Sequence, residues 1–328
     1  MRNPVRRRRV LALAALTASP WLVRAQGLQG YPAKPIRIIA SQPPGGAYDM
    51  IARAVAEGMT RIWGKPAFVE NRTGAGGLIG IEAAARAAPD GYTFVIGSTG
   101  PFAVSPSLLK DLRFDPVKDF APVARIATMP SYLVVNANVP INSVREFLAY
   151  AKANPGKLSY ASTGNGLSQH TNVELLKSMA NLFIVPVTYR GSGPAVSDLL
   201  GRQVDMMIEL GPQVIPHIKS GRIKVLATTS ATRTQAMPDV PTLAESGVPG
   251  YEAFTWFGLY APAGTPQSII EAAHGAVVRA FDEPDVKNRL AAIGAEVALS
   301  KPQELAVFQS NEAKKWSAVI RRAGIRPE

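Results

Sequence analysis

Apolar residues recur along this chain in two alternating rhythms, and their alternation sets the expected architecture. Ile36-Arg37-Ile38-Ile39-Ala40 is a short β-branched run. After it, Ile51, Val55, Met59 and Ile62 return at three- and four-residue steps and predict a helix. Between the two lies Ser41-Gln42-Pro43-Pro44-Gly45-Gly46, where the prolines stop the strand and the glycines permit a tight turn with uncovered N–H groups. The same order repeats: a strand over 67–70, a loop Asn71-Arg72-Thr73-Gly74-Ala75-Gly76-Gly77, then a small-residue helix from about 78 to 88, stopped by Pro89-Asp90-Gly91. A third strand, 92–96, ends in Gly97-Ser98-Thr99-Gly100. In open parallel sheets, ligands bind just outside the carboxyl ends of strands, which is where these polar loops fall.

The middle of the chain repeats this plan. A crossing strand is expected over 123–128 and another over 131–135. Asn142-Ser143 then caps a helix whose Val144, Phe147, Leu148 and Ala151 share a face. Strands over 158–161, 183–187 and 204–208 each lead through a polar loop into a helix, expected over 173–179, 195–200 and 214–220. A strand over 223–228 completes this set. Beyond the Pro-rich stretch 236–242 come one strand, 257–260, and helices over 266–278, 284–290 and 306–322. One strand is too few for a separate sheet, so this segment should return to the first domain. The expected fold is α/β: two lobes, mostly parallel sheets flanked by helices, closing as a clamshell. Lobe 1 spans 26–125 plus 236–328, and lobe 2 spans 126–235.

Composition narrows the chemistry. Apolar content of 47% with 18% charged residues describes a globular chain of 328 residues, long enough for two cores. Cysteine is absent, which excludes disulfides, thiolate metal sites and a cysteine nucleophile. His170, His217 and His274 are far apart, so neither a metal site nor a cofactor is expected. Residues 1–25 read as an export signal: Arg6 to Arg9 precede a mostly apolar stretch too short to span a membrane comfortably. Its removal would place the protein in the periplasm. That segment holds six arginines and no acid, so about half of the net charge of +12 belongs to it. No Lys/Arg cluster with interleaved aromatics follows, and nucleic acid is not an expected partner.

Six loops are thus expected to face one cleft: 43–49, 71–77 and 97–100 from one lobe, 162–170, 189–193 and 209–212 from the other. They offer backbone N–H groups and Ser, Thr and Asn side chains, an inventory suited to a carboxylate. Asp49 stands at the start of the first helix, where it either offsets the dipole or meets a ligand. Arg190 and Arg72 are the basic residues of these loops. Arg190 is a candidate ligand or bridging residue, and Tyr189 either covers a ligand or packs. Enzyme patterns fit less well. Gly74-Ala75-Gly76-Gly77-Leu78-Ile79-Gly80 has its last glycine one residue late for a dinucleotide fingerprint. Gly164-Asn165-Gly166-Leu167-Ser168 does not match a nucleophile elbow. Asp205 and Glu209, four apart on a strand, would sit roughly 13 Å from each other, too far to share a reaction centre.

The ordered set Pro43-Pro44-Gly45-Gly46 with Asp49, Val69-Glu70-Asn71-Arg72-Thr73-Gly74-Ala75-Gly76-Gly77, Pro89-Asp90-Gly91-Tyr92-Thr93, Tyr160-Ala161-Ser162-Thr163-Gly164, Tyr189-Arg190-Gly191 and Asp239-Val240-Pro241-Thr242 resembles the Bug-type receptors of tripartite tricarboxylate transporters. The resemblance covers essentially the whole chain after residue 25. It implies a periplasmic-binding-protein (type II-like) fold and no catalysis. It also implies a small organic anion as ligand, delivery to the membrane components of a transporter, and a monomer. Carried over by residue, it assigns ligand contacts to Pro44, Gly45, Gly46, Ala47 and Asp49 in the first loop, and to Ser162, Thr163 and Gly164 in the second lobe. Tyr189 and Arg190 follow, with Asn71 and Thr99. The loop reading adds Ser168, His170 and Glu209. Where many relatives carry an aromatic before Pro-Gly-Gly, this chain has Gln42-Pro43; Trp256 and Phe257 are candidates to replace it or to pack the core. The alternative from another class is an exported α/β enzyme acting on an anionic small substrate.

Overall fold

Each expected βα repeat of the first part is formed in the computed structural model, which describes residues 30–325 except Asn165. The expected export segment lies outside the described residues. β1 (Ile36–Ala40), α1 (Ala47–Trp63), β2 (Ala67–Asn71), α2 (Leu78–Ala85) and β3 (Thr93–Ser98) follow in order. β3 runs into a buried helical turn, Gly100–Val104, continued by α3 (Ser105–Leu108), where a polar loop was expected. Next come β4 (Phe120–Asn136), α4 (Val144–Ala153), β5 (Ser159–Ser162), α5 (Ser168–Ala180) and β6 (Val185–Thr188). They are followed by α6 (Ser192–Leu200), β7 (Met206–Leu210), α7 (Gly211–Lys219) and β8 (Ile223–Thr228). β9 (Phe254–Pro262), α8 (Gln267–Asp282), α9 (Pro284–Ala292), β10 (Glu296–Val297) and α10 (Pro302–Ala323) complete the chain.

β4 belongs to two sheets. From Phe120 to Pro130 it pairs with β9, within the order β2-β1-β3-β9-β4. From Ser131 onward it pairs with β7, and from Tyr132 also with β8, within β4-β7-β5-β6. Two strands were expected here, over 123–128 and 131–135, and the structure joins them into one. Pro130 is tolerated because it stands at the end of the β9 pairing, where a missing N–H removes no bond from the middle of a ladder. Register shifts beside Pro122 absorb the other proline. The boundary expected at 125/126 therefore falls inside a strand, and Pro32 onward forms one contact-continuous unit.

The expectation of mostly parallel sheets is corrected to mixed ones. Pairing is parallel within β2-β1-β3 and among β7-β5-β6, where helical crossovers join the strands. Every pair involving β4 or β9 is antiparallel, and among the described strands β4 alone carries the chain from one sheet into the other.

The core is aromatic near β3 and β9. Phe102 stacks on Tyr260 at 4.3 Å between ring centroids, and Trp256 meets Phe308 edge-on at 5.7 Å. Helix α1 crosses α8 closely at Gly58, where a Cβ would overlap that of Ala280. Gly80 serves the same purpose beside the end of β1: a Cβ there would lie 2.6 Å from the Arg72 carbonyl oxygen.

Candidate functional site

A cavity of about 280 Å³ lies where four strand–helix turns meet. The turn after β1 supplies Gln42, Pro43, Pro44, Gly46, Ala47 and Tyr48. The turn after β5 gives Thr163, Leu167, Ser168 and Gln169. Gly191, Ser192 and Gly193 come from beyond β6, and Glu209, Leu210, Pro212 and Gln213 from the end of β7. Helices α1, α5, α6 and α7 all begin here. Their N-cap residues are Gly46, Leu167, Gly191 and Leu210, and none makes a side-chain capping hydrogen bond. The first N–H groups of a helix have no acceptor within it, and the dipole adds positive potential there. Among the described residues, no Lys, Arg or His lines the cavity. The arrangement attracts an anion through helix ends and neutral donors, without a counter-cation.

Local chemistry holds the first loop in shape. Gly45 takes φ of +81°, a conformation suited to glycine, and its N–H donates to Asp49 Oδ2 at 3.0 Å. Arg53 Nε donates to the same oxygen at 2.8 Å, and Asn71 Nδ2 donates to Asp49 Oδ1 at 3.0 Å. Burial alone would raise the Asp49 pKa, but these donors outweigh it and hold the carboxyl below its ordinary value. Asp49 and Asn71 therefore fold the loop rather than face the cavity. Tyr48 does face it. Its hydroxyl lies 2.6 Å from Ser98 Oγ, its ring meets Phe257 edge-on at 5.1 Å, and burial pushes its pKa up to about 12.

Of the residues singled out from sequence, the structure brings Pro44, Gly46, Ala47, Thr163, Ser168 and Glu209 to the cavity. The others are not among its lining. Gly45 shapes the turn. Thr99 is buried, its hydroxyl accepting from Trp256 N at 3.0 Å, so it joins β3 to β9. Ser162 is buried at the end of β5, its Oγ accepting from Gly164 N at 3.4 Å. Gly164 turns the chain with φ of +142°. His170 is buried inside α5, stacked against Tyr160, with Nδ1 accepting from Gly166 N at 3.4 Å. Tyr189 donates its hydroxyl to Asp198 at 2.8 Å, and Arg190 is exposed. Trp256 and Phe257 are fully buried core residues. Sequence reasoning passed over Tyr48, Gln169, Ser192 and Gln213. Tyr48, Gln169 and Ser192 lay within loops already singled out, whereas Gln213 stands one residue beyond the loop 209–212.

Two polar atoms of the lining residues are buried without a hydrogen-bond partner: Thr163 Oγ1 and Glu209 Oε2. Glu209 Oε1, by contrast, accepts from Gln169 Nε2 at 2.7 Å and from Leu210 N at 2.8 Å. Burial raises the Glu209 pKa despite these donors. Ser168 donates its hydroxyl to Gln169 Oε1 at 3.3 Å. Among the described residues, no group of three or more His, Cys, Asp or Glu could hold a metal ion, and no helix is long and apolar enough to cross a membrane.

Comparison with known proteins agrees with this geometry. The family model described as "Tripartite tricarboxylate transporter family receptor" matches residues 51–325. Among solved structures, Rpa4515 of R. palustris with adipate is 34% identical, with a TM-score of 0.87 over 91% of this chain and 100% of that one. The periplasmic binding protein BugD is 33% identical, with a TM-score of 0.84 over 91% and 100% of the two chains. MatC from Rhodopseudomonas palustris with bound malate is 33% identical, with a TM-score of 0.81 over 88% and 100%. The fold is that of the periplasmic binding proteins.

Proposed function

Because the chain belongs to the tripartite tricarboxylate transporter receptor family, we propose that it captures a small carboxylate in the periplasm and presents it to the membrane components of such a transporter. The observation that carries this reading is the convergence of four uncapped helix N-termini on one cavity that, among the described residues, holds no cationic side chain. Two structurally similar proteins hold dicarboxylates, adipate and malate. Helix α1 belongs to the lobe built on β1, β2 and β3, and α5, α6 and α7 belong to the lobe built on β5, β6 and β7. A ligand touching both favours the closed form, since only that form offers all four helix ends. The contacting residues are Gly46, Ala47 and Tyr48 on one side and Thr163, Ser168 and Ser192 on the other. The protein works as a monomer after its export segment is removed, and it performs no catalysis.

A thermal-shift screen of di- and tricarboxylates, aromatic acids and amino acids, each beside its neutral amide, tests this. At a concentration one hundred times Kd, a ligand adds about 2.7 kcal/mol of stability. The expected result is a raised Tm with carboxylates and none with the amides. Stabilisation by the amides alone would overturn the reading.

A further inference from the structure

The cavity proposed to hold an anion also contains an acid. Glu209 is a fully buried member of the lining, and its two oxygens differ in their surroundings. Oε1 is pinned by Gln169 Nε2 and by the Leu210 N–H, at 2.7 and 2.8 Å. Oε2 has no aligned donor. The Ser192 hydroxyl is near enough to favour the charged form, yet it makes no hydrogen bond of good geometry with Oε2. The neighbouring Tyr48 hydroxyl is engaged by Ser98. Among the described residues, no lysine or arginine lines the cavity to neutralise the carboxylate. A bare anion drawn to the helix ends would thus meet a like charge. An anion carrying its own donor would turn that repulsion into a charge-assisted hydrogen bond.

We propose that Glu209 makes the cavity selective for carboxylates that also bear a hydrogen-bond donor, a hydroxyl or ammonium group, which Oε2 accepts. This rests on the carboxylate reading above and goes further by naming the substrate class. The residue deciding the choice is a buried acid, while the residues attracting the anion are glycines and small polar groups at helix starts. Selectivity then depends on Glu209 alone and is separable from affinity for the carboxylate itself.

The experiment measures Kd by calorimetry at pH 8 for three matched series: succinate, malate and aspartate; glutarate, 2-hydroxyglutarate and glutamate; benzoate, 4-hydroxybenzoate and 4-(aminomethyl)benzoate. Within any series that binds, the expected result is at least about tenfold tighter binding of a donor-bearing member. The hydroxyl and amino members tell which donor is used. In Glu209→Gln, which keeps the shape of the side chain, that preference should shrink to about threefold or less. Equal or tighter binding of the unsubstituted acid by the wild-type protein overturns the proposal, even if the variant fails to fold. So does an unchanged preference in a folded Glu209→Gln. Tighter binding of unsubstituted acids only on acidification also overturns it, because Glu209 would then share a proton with the ligand. Failure of every carboxylate to bind would instead sink the reading beneath it.

Discussion

Asn71 Nδ2 reaches across from the end of β2 to Asp49 Oδ1 at 3.0 Å, and the same nitrogen donates to the Gln42 carbonyl oxygen at 3.1 Å. Two adjacent strand–helix turns are thereby tied through one buried carboxylate. A residue carried over as a ligand contact is a fastener for the loop.

Replacing that fastener should cost stability in a pH-dependent way. Asp49→Asn turns an acceptor into a donor facing donors, at roughly 1–3 kcal/mol. The Asp49 pKa is depressed in the folded state, so its contribution is complete above the unfolded value of about 3.9 and is lost as pH falls through the lower folded value. The stability gap between wild type and variant should therefore be full at pH 7 and shrink below about pH 4. Urea melts across that range provide the check, and a constant gap would remove the charge from the account.

Gly46 behaves differently. Its φ of −86° and ψ of 174° suit any residue, and the nearest atom to a built Cβ is the Pro43 oxygen at 3.6 Å. Gly46→Leu should fill the cavity and abolish carboxylate-induced thermal shifts. Stability without ligand should stay within about 0.5 kcal/mol of wild type.

Thr163 allows affinity and stability to be separated. Its Oγ1 is buried with no partner, so the empty protein gains nothing from it. Thr163→Val keeps the shape, and the unfolding midpoint should hold or rise slightly. Ligand affinity should fall by up to about tenfold, the value of one hydrogen bond. Unchanged affinity in calorimetry would remove Thr163 from the contact set.

The crossing of α1 and α8 predicts a rescue. Gly58→Ala places a methyl group against Ala280 and should destabilise by roughly 1–3 kcal/mol. Adding Ala280→Gly should recover much of that loss in a double-mutant cycle. Purely additive losses would mean that the helices separate instead.

The repeated strand–loop–helix order was legible because β-branched runs and three-to-four spacing survive in any context. The helix starts were not. α5, α6 and α7 begin at Ser168, Ser192 and Gly211, whereas sequence placed them at 173, 195 and 214. Rules for helix starts look for a capping side chain, and here the caps are leucine and glycine. The missing caps that shifted those boundaries also leave the helix ends open to a ligand. β4 was also split in two, and only the exchange of partners at Ser131 shows it to be one passage. The roles of Thr99, His170 and Tyr189 depend on Trp256, Tyr160 and Asp198, and no spacing in the sequence announces those partners.

A strand that completes both sheets leaves no seam along which the molecule can be divided. Cutting between Pro130 and Ser131 would leave β9 beside a loose stub and bare the flanks of β7 and β8. Neither fragment would be a finished object, and each would tend to recruit foreign chains to its open edge. Gene splitting or insertion at that point should yield aggregates, whereas exposed turns such as that around Pro155 can tolerate added sequence.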